Sequence, residues 1–329
     1  MKTELKFIGI DVSKSTLDIC ILSDTTESLV IKNTKRSIFK YFGHLLKNTA
    51  HEYHICVENT GKYSWELMRI LPSMKCSFYV VNPLHLKKSL GLVRGKNDVI
   101  DAVRIARFIR KNHDEMDCYI EKRKVLESLQ VLMSERKFRV KQRKEIKTKN
   151  KEILVLDNAK LVKSILSKNE KLIKELTKQI GTIELEIKQL VDSCQRIKSM
   201  ASQLQSIPGV GPILCLNLIV KTNEFKTIKE ARKLACYAGV APFANTSGIS
   251  VFGRNKVSNL ADKGLKKLLH LGALSAIRLN NDLAIYYHRK VNEGKNKMSV
   301  INAVRNKIIH LVFALINNQT FYKNRLATS

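Results

Sequence analysis

The sequence predicts a mixed α/β domain followed by a helical second part, a fold class of α/β plus all-α. From residue 5 to about residue 115, short apolar segments alternate with amphipathic ones. From about 120 to 205, Lys, Glu, Leu and Ile dominate, proline is absent and glycine occurs only at Gly181. Strands that alternate with helices are typical of a sheet covered by helices, and the proline-free stretch favours long helices.

The first element is a predicted β-hairpin over residues 7–22, because two apolar segments flank a short polar turn. The first segment is apolar on both faces, as expected of a central strand that is covered on both sides. Asp11 stands at its end. The sequence therefore places a carboxylate at the edge of the predicted sheet.

Three more strands and three helices complete the predicted mixed sheet. The strands are expected at 28–33, 54–59 and 76–83. The second of these strands ends in another carboxylate, Glu58. The helices are expected at 37–47, 63–71 and 97–109, the last from apolar residues at helical spacing.

The next part contains two kinds of helical sequence. Isoleucine and leucine recur at helical spacing over 173–191, which predicts an amphipathic helix or a coiled coil of modest length. Upstream, residues 137–151 are strongly basic. This stretch is either a solvated helix face or a contact surface for phosphate, and for the second reading our candidate residues are Lys141 and Arg143.

From residue 206 onward the sequence predicts compact helices, interrupted by a glycine-rich loop over 246–253. These changes in texture predict three domains. They are an α/β domain at 1–118, a basic helical or coiled-coil linker at 119–203 and a helical domain at 204–329.

The charge balance points to a polyanionic partner. The chain has 59 Lys and Arg against 29 Asp and Glu, a formal net charge of +30. No run of residues suggests a membrane span, and the start of the chain leads straight into a strand, so we expect a cytoplasmic protein with no membrane partner. The seven cysteines are scattered without a Cys-x-x-Cys pair, which argues against a disulfide framework or a zinc site.

Four carboxylates are expected to converge. Asp11 and Glu58 each end a buried strand, and Asp98 and Asp101 lie three residues apart near the start of a helix, on one helical face. Such a cluster repels itself unless cations bind, and hard oxygen ligands select Mg²⁺ or Mn²⁺. Two such ions about 4 Å apart stabilise the attacking and leaving oxygens in phosphoryl transfer. The alternative is that each acid caps a helix or lies in solvent.

The acids lie in motifs that resemble the DEDD transposases of bacterial insertion sequences, a group that includes the Piv-type DNA invertases. The motifs are Ile-Gly-Ile-Asp-Val-Ser-Lys at 8–14, Val-Glu-Asn-Thr-Gly at 57–61 and Lys-x-Asp-x-x-Asp-Ala-x-x-Ile-Ala at 96–106. The resemblance implies a RuvC-like domain of the ribonuclease H fold in a bacterial, nucleoid-associated protein. It also implies that Lys96 is the basic residue before the third acid, and that Mg²⁺ binds a tetrad of Asp11, Glu58, Asp98 and Asp101.

The second half carries further motifs of the same family. Residues 207–212, Ile-Pro-Gly-Val-Gly-Pro, resemble a helix–hairpin–helix turn, in which Gly209 and Gly211 would free backbone N–H groups for a phosphate. A plain connection between helices is the alternative. Tyr-Ala-Gly-Val-Ala-Pro at 237–242 and a Ser-Gly pair at 247–248 also match the family. Lys263 matches a basic, phosphate-contacting position, but leucine and lysine follow where the family often has asparagine and arginine.

The resemblance implies that Ser247 is a nucleophile that becomes covalently joined to DNA, with Ser250 held in reserve. A serine hydroxyl needs a base or a metal ion to become nucleophilic. Without the resemblance, a loop serine that bonds its own backbone is the simpler interpretation. We interpret Tyr237, Tyr286 and Tyr287 as core aromatics, and the histidines of the predicted helices as packing or surface residues.

We therefore expect a DNA transposase or site-specific recombinase of an insertion sequence that works through a serine–DNA intermediate. The resemblance also implies an active site shared between protomers of a dimer or tetramer, and a structured guide RNA that pairs with donor and target DNA. One alternative is a metal-dependent nuclease or junction resolvase that uses water. Others are a sugar-kinase or actin-like ATPase, whose glycine-threonine turns are missing here, and a non-enzymatic basic nucleic-acid-binding protein.

Overall fold

The computed structural model describes residues 4–89, 98–247, 251–257 and 260–324, with the backbone alone at 98–99, 243–247 and 251–256. The chain packs as two compact units, Met1–Glu121 and Lys122–Ser329. The first contains a mixed sheet with helices, and the second is mostly helical. The predicted order of a mixed α/β part followed by a helical part is therefore confirmed, except that the second unit is not purely helical.

The sheet of the first unit has the strand order β3-β2-β1-β4-β5. Its strands are β1 (Glu4–Val12), β2 (Thr16–Leu22), β3 (Thr26–Lys32), β4 (His51–Glu58) and β5 (Ser77–Val81). The pairs β1–β2 and β2–β3 are antiparallel, whereas β4 lies parallel to both β1 and β5. The predicted hairpin and the three further strands are confirmed, and β1 is the central strand.

Helices cover both faces of this sheet. They are α1 (Lys35–Leu45), α2 (Trp65–Ile70), α3 (Pro83–Ser89) and α4 (Asp98–Asn112). One face packs Ile8 and Ile10 of β1 against α1 and α2, and the other packs Phe7 against α4. Helix α3 was not predicted, because Pro83 reads as a strand terminator. Proline is equally suited to the first position of a helix, and here the Asn82 side chain accepts a hydrogen bond from the Leu84 N–H at 2.9 Å.

Helix α4 crosses β1 directly over Gly9. A Cβ at Gly9 would lie 2.1 Å from the carbonyl oxygen of Ala102 and 2.3 Å from the backbone nitrogen of Ala106. Farther back along β1, the ring of Phe7 lies 5.0 Å from that of His113, just beyond the end of α4. The helix therefore runs antiparallel to β1, so that its first turn lies at the end of β1 that carries Asp11.

The second unit has eight helices and a two-stranded hairpin among its described residues. They are α5 (Lys124–Ile153), α6 (Ala159–Asp192), α7 (Gln195–Gln205), α8 (Pro212–Lys221), α9 (Ala231–Tyr237), β6 (Phe243–Ser247), β7 (Val251–Lys256), α10 (Lys263–Ala276), α11 (Asp282–Asn292) and α12 (Lys297–Asn318). The predicted amphipathic helix is confirmed as α6, with Leu176, Ile180, Ile183 and Ile187 buried.

Helices α5 and α6 form an antiparallel pair held by arginines. Arg136 contacts Glu184 at 2.7 Å, and Arg139 donates to Gln179 at 3.0 Å. Residue numbers fall along α6 as they rise along α5, which fixes the antiparallel direction. The α5 arginines therefore tie the two helices together, in addition to any contact with nucleic acid.

The prediction of a glycine-rich loop over 246–253 is corrected by the structure. Antiparallel strands β6 and β7 occupy most of that segment, with Ser247 opposite Val251 and an irregularity in the pairing between Phe243 and Asn245. Residues 248–250 lie outside the described residues. Short strands around glycine and serine lack the run of alternating apolar residues that signals a hairpin.

A second correction concerns α12, which is long and apolar enough to cross a membrane by length and composition. Asparagine, lysine and arginine interrupt its sequence, so no unbroken apolar run is visible. Half of its apolar window is buried inside the protein. The helix packs against α7, α9, α10 and α11, so it serves as the core helix of the second unit.

Candidate functional site

Asp11 and Glu58 lie on adjacent parallel strands. The register of β1 and β4 pairs Ile10 with Val57, so the next residue on each strand is one of the two acids. Both stand at the carboxyl ends of their strands and are half-buried. The two strands are therefore neighbours, and both acids stand at the same end of the sheet.

Alternation along the strands shows which face the acids occupy. Cys20 and Cys56 belong to the cluster packed against α4, and side chains two positions apart on a strand share a face. Glu58 is two residues beyond Cys56, and Asp18 is two residues before Cys20. Asp11, two residues beyond Gly9, also faces α4. Three carboxylates thus share the face of the sheet that the first turn of α4 covers.

The α4 acids approach from above this face. Asp101 is half-buried and accepts a 2.6 Å hydrogen bond from the guanidinium of Arg104. Asp98 is the first residue of α4, and its side chain lies outside the described residues, as does all of Lys96. The backbone path of α4 therefore brings Asp98 and Asp101 to the end of the sheet where Asp11 stands.

The donor set suits a hard divalent cation. Every candidate ligand is a carboxylate, the group that Mg²⁺ and Mn²⁺ prefer. Across the residues whose side chains are described, no three His, Cys, Asp or Glu side chains lie close enough to hold a metal ion. Asp11, Glu58 and Asp101 are among these residues, whereas the side chain of Asp98 is not. The tetrad therefore remains a prediction whose elements converge at one end of the sheet.

Asp18 is an acid that sequence reasoning missed. It lies directly opposite Asp11 in the β1–β2 register and is only 9% exposed. Residues that face each other in an antiparallel pair have Cβ atoms about 5 Å apart, and like charges at that distance repel. Pairing the two strands about their turn would have revealed it, because this pairing sets one acid against another.

The candidate nucleophile lies at the end of a strand. Ser247 is the last residue of β6, and the structure describes its backbone alone. Gly248 and Ser250 lie outside the described residues. The choice between Ser247 and Ser250 as the nucleophile stays a prediction.

Just beyond that hairpin, Asp262 organises the start of α10. It accepts hydrogen bonds from the Leu265 N–H at 2.8 Å, from Lys221 Nζ at 2.5 Å and from the Tyr237 hydroxyl at 3.2 Å. Burial alone would raise the pKa of Asp262, but the hydrogen bond from Lys221 and the other donors hold it below its usual value. Lys263, the next residue, is exposed at the first position of the helix.

These contacts correct the interpretation of Tyr237 as a core aromatic. Its side chain is 42% exposed, because the hydroxyl reaches Asp262 at the surface. Tyr286 and Tyr287 do pack against the core of the second unit, as expected.

The two glycines between α7 and α8 differ in their surroundings. Gly209 has a φ of +84°, and a Cβ there would lie 2.1 Å from the carbonyl oxygen of Gly272 on α10. A Cβ on Gly211 would meet nothing within 4 Å. An open groove of about 770 Å³ runs beside this turn. Gly209 therefore has a packing role in the structure, and Gly211 is the better candidate for backbone contact with phosphate.

The basic candidates on α5 also differ. Arg143 donates a 3.1 Å hydrogen bond to the Thr177 hydroxyl on α6. The Lys141 side chain is 73% exposed and lies 3.6 Å from Glu145 one turn further on. Exposed pairs of this kind are weak, so Lys141 is available to a phosphate at little cost. Arg143 would have to keep or exchange its contact with α6.

Two family models match separate parts of the chain. One, described as a transposase of the DEDD IS110 type, matches residues 8–160. The other, described as the transposase IS116/IS110/IS902 family, matches residues 201–288. The first match contains all four acids, and the second contains Ser247, Asp262 and the turn between α7 and α8.

Individual relatives agree with these matches. The pilin gene-inverting protein of Moraxella bovis is 27% identical over 331 residues, which covers 97% of this chain and 98% of that protein. An uncharacterized 43.6 kDa protein of insertion element IS110 from Streptomyces coelicolor is 29% identical over 37% of this chain and 30% of its own length. The transposase for insertion sequence element IS1111A of Coxiella burnetii is 26% identical over 44% of this chain and 39% of its own length.

Proposed function

Because this chain belongs to the DEDD insertion-sequence transposases of the IS110 family, we propose that it cuts and rejoins DNA at a metal site formed by Asp11, Glu58, Asp98 and Asp101. One observation carries this proposal. Asp11 and Glu58 end adjacent parallel strands on the face that α4 covers, and α4 begins at that same end. Elements distant in sequence thus bring the acids to one edge of the sheet.

The acids would hold Mg²⁺, or Mn²⁺ in its place, with Asp11 and Glu58 contributing from the sheet and Asp98 and Asp101 from α4. A bound divalent ion supplies charge stabilisation for the oxygens of a reacting phosphate. Asp18, buried opposite Asp11, places one more carboxyl group on this face of the sheet. The rival with the same acids, a nuclease that uses water, differs only in its nucleophile.

Ser247 is our proposed nucleophile. Its Oγ would form a bond to the scissile phosphorus while the bond from phosphorus to a deoxyribose oxygen breaks. The serine proton passes to a base, and the departing oxygen takes up a proton. The phosphoserine bond conserves the energy needed to rejoin strands. Support comes from the hairpin position of Ser247 and from the family match over 201–288.

A guide RNA and an oligomer complete the proposal. The net charge of +30 suits a protein that binds both DNA and a structured RNA through their backbones. Base pairing by the RNA would then select donor and target sites. The long α5–α6 pair offers a surface on which protomers of a dimer or tetramer can meet.

The nucleophile is tested with Ser247→Ala. We expect the variant to bind DNA normally but to lose strand exchange on a supercoiled donor plasmid with Mg²⁺, because no serine–phosphate bond can form. Denaturing gels should show a protein–DNA adduct for the wild type and none for the variant. Ser250→Ala is the matched control and should retain both. Full recombination by Ser247→Ala would leave the serine mechanism without support.

The metal site is tested with Asp11→Asn and with EDTA. Each should lower the rate of DNA cleavage by at least about a hundredfold while DNA binding persists, because the carboxylates act on the chemical step. Asp24→Asn, a change of the same kind at an exposed acid of the same unit, should cleave normally. A non-enzymatic binding protein would respond to none of these treatments.

Inversion of a DNA segment is a second candidate outcome of the same chemistry. It is favoured by the end-to-end similarity to a protein named for pilin gene inversion, whereas the insertion-element relatives match over shorter parts. A plasmid with two sites in inverted orientation tests it. Flipping of the intervening segment supports inversion, and loss of that segment as a circle supports excision.

A further inference from the structure

Arg305 is a buried arginine that no acid among the described side chains pairs with. It lies in the middle of α12 and is 7% exposed. Its guanidinium donates to His270 Nδ1 at 2.7 Å and to Asn302 Oδ1 at 3.4 Å, while its Nε has no hydrogen-bond partner. Among the described residues of the second unit, no carboxylate forms an ion pair with it. Burial lowers the pKa of Arg305, and no neighbouring charge acts in the other direction.

A buried charge of this kind is unfavourable. Taking a cation out of water is costly unless an opposite charge compensates for the lost hydration. Arginine cannot avoid this cost by losing its proton, because an arginine side chain is not deprotonated in proteins. Such a residue is therefore explained most simply by an anion that arrives with a ligand.

The neighbours of Arg305 connect it to the region of Ser247. Asn302, one turn earlier on α12, donates a 2.8 Å hydrogen bond to the carbonyl of Val240. Val240 lies just before β6, the strand that ends at Ser247. Asn302, a partner of Arg305, thus contacts the segment that leads into the hairpin.

His270 connects Arg305 to the basic start of α10. It lies seven residues after Lys263, so the two share a face of the helix with Lys266 and Lys267 between them. Lys263 and Lys267 are exposed, and Lys266 and His270 are half-buried. A row of lysines therefore runs along α10 from the surface to His270, which contacts the guanidinium of Arg305.

We propose that Arg305 and His270 bind one phosphodiester group of the DNA, beside the hairpin that carries Ser247. This inference rests on the proposed function. A guanidinium presents a fork of donors that matches two phosphate oxygens, and the Nε–H of Arg305 is enclosed among the described residues without the acceptor that a phosphate oxygen would supply. The phosphate approaches along the lysine row of α10.

His270 contributes the second donor. Arg305 has only donors, so the Nδ1 atom of His270 must accept, which leaves the proton of the neutral ring on Nε2. Burial and then the charge of Arg305 lower the pKa of His270, so the ring stays neutral at working pH. The Nε2–H is then free to donate to a phosphate oxygen.

The test compares Arg305→Met with Arg278→Met, which removes an exposed arginine two residues after the end of α10. Two quantities are measured for each: the melting temperature without DNA, and the affinity for a short duplex DNA across a salt series. We expect Arg305→Met to melt at the same or a higher temperature, because it removes an uncompensated buried charge. It should bind DNA at least tenfold more weakly, with a salt slope smaller by about 0.9, the value for one lost phosphate contact.

Arg278→Met should match the wild type in both measurements, and Arg305→Lys should keep most of the salt slope, because it keeps the charge. A lower melting temperature for Arg305→Met with unchanged DNA affinity would assign Arg305 a structural role and overturn the inference. The inference would also be overturned if Arg305→Met lowered the salt slope for single-stranded RNA but left the salt slope for duplex DNA unchanged. If the wild type neither binds nor cuts DNA, the proposed function itself is wrong. If the wild type cuts DNA and Arg305→Met binds DNA as tightly as the wild type, only this inference is wrong.

Discussion

At the scale of single residues, Gly9 decides how closely α4 approaches the central strand. The carbonyl of Ala102 and the nitrogen of Ala106 occupy the space that a side chain would need. This close approach brings the first turn of α4 to the end of β1. The glycine that precedes Asp11 by two residues is thus a geometric requirement of the candidate metal site.

Gly9→Ala should destabilise the first unit by about 1–3 kcal/mol, the usual range for overpacking a buried site. Gly43→Ala is the control, because a Cβ there meets nothing within 4 Å and the residue lies within a helix. It should stabilise the protein by up to about 1 kcal/mol. Urea unfolding followed by circular dichroism measures both. Equal stability of the two variants would contradict the role of Gly9.

Single residues also show how far sequence reasoning reaches. Asp11 and Glu58 could be found because each ends an apolar strand, a property of local sequence. Asp18 was missed because its position opposite Asp11 appears only when the two strands are paired about their turn, and its burial depends on packing. Arg305 was overlooked because an arginine inside a helix normally reaches water, and only packing shows that this one does not.

At the scale of elements, the connection between α8 and α9 is held by a buried carboxylate. Residues Asn223, Glu224 and Phe225 have φ values of 48°, 58° and 63°, in the left-handed region that L-residues rarely adopt. The Glu224 side chain is 0% exposed and pairs with Arg123, with Arg196 at 3.5 Å and with Lys226 at 3.5 Å. This carboxylate joins the residue before α5 and the start of α7 to the strained connection.

Glu224→Gln should destabilise the second unit by about 3 kcal/mol, the lower end of the range for breaking a buried ion pair. The lower end applies because Arg123, Arg196 and Lys226 are partly exposed and water can solvate them. The control is Glu230→Gln, whose exposed pair with Lys233 contributes little. Thermal unfolding of both variants checks the prediction, and a loss below about 1 kcal/mol for Glu224→Gln would refute it.

Elements with strong periodicity were predicted, and those defined by turns were not. Helices α4 and α6 follow from apolar residues on one face, and the hairpin of β1 and β2 from two apolar strands around a turn. The hairpin of β6 and β7 has little apolar pattern, so a loop was the natural reading. The connection at Glu224 depends on ion pairs between distant residues, which no local pattern reveals.

At the scale of the whole molecule, the two units have separate cores and separate sensitivities. The division into domains at 1–118, 119–203 and 204–329 stays a prediction.

In the first unit, the end of the sheet away from Asp11 holds His54. Its ring is stacked on that of Phe7 at 5.3 Å, its Nδ1 is hydrogen-bonded to the Tyr79 hydroxyl at 3.1 Å, and the ring of His113 lies 4.8 Å away. Burial and then His113 lower the pKa of His54, although Glu52 and Asp114 act in the opposite direction.

This shift predicts that acid weakens the first unit. The unfolded state takes up a proton on His54 near pH 6.5, whereas the folded state resists until a lower pH. Stability is therefore full above pH 6.5 and falls below it, by about 1.4 kcal/mol per pH unit until the folded pKa is reached. Unfolding from pH 7.5 to about 5 measures this fall, and His54→Phe should flatten it relative to the wild type. An unchanged profile in that variant would assign the fall to other groups.

The contact between the turn after α7 and helix α10 has one more consequence. A Cβ on Gly209 would strike the backbone of Gly272, and a Cβ on Gly272 would lie 2.7 Å from the carbonyl oxygen of Gly209. Main-chain atoms of Gly272 exclude a side chain at position 209, and main-chain atoms of Gly209 exclude one at position 272. No amino acid is smaller than glycine. No substitution at one of these positions can compensate for a substitution at the other. Descendants of this chain must therefore keep both glycines or change how the turn after α7 packs against α10.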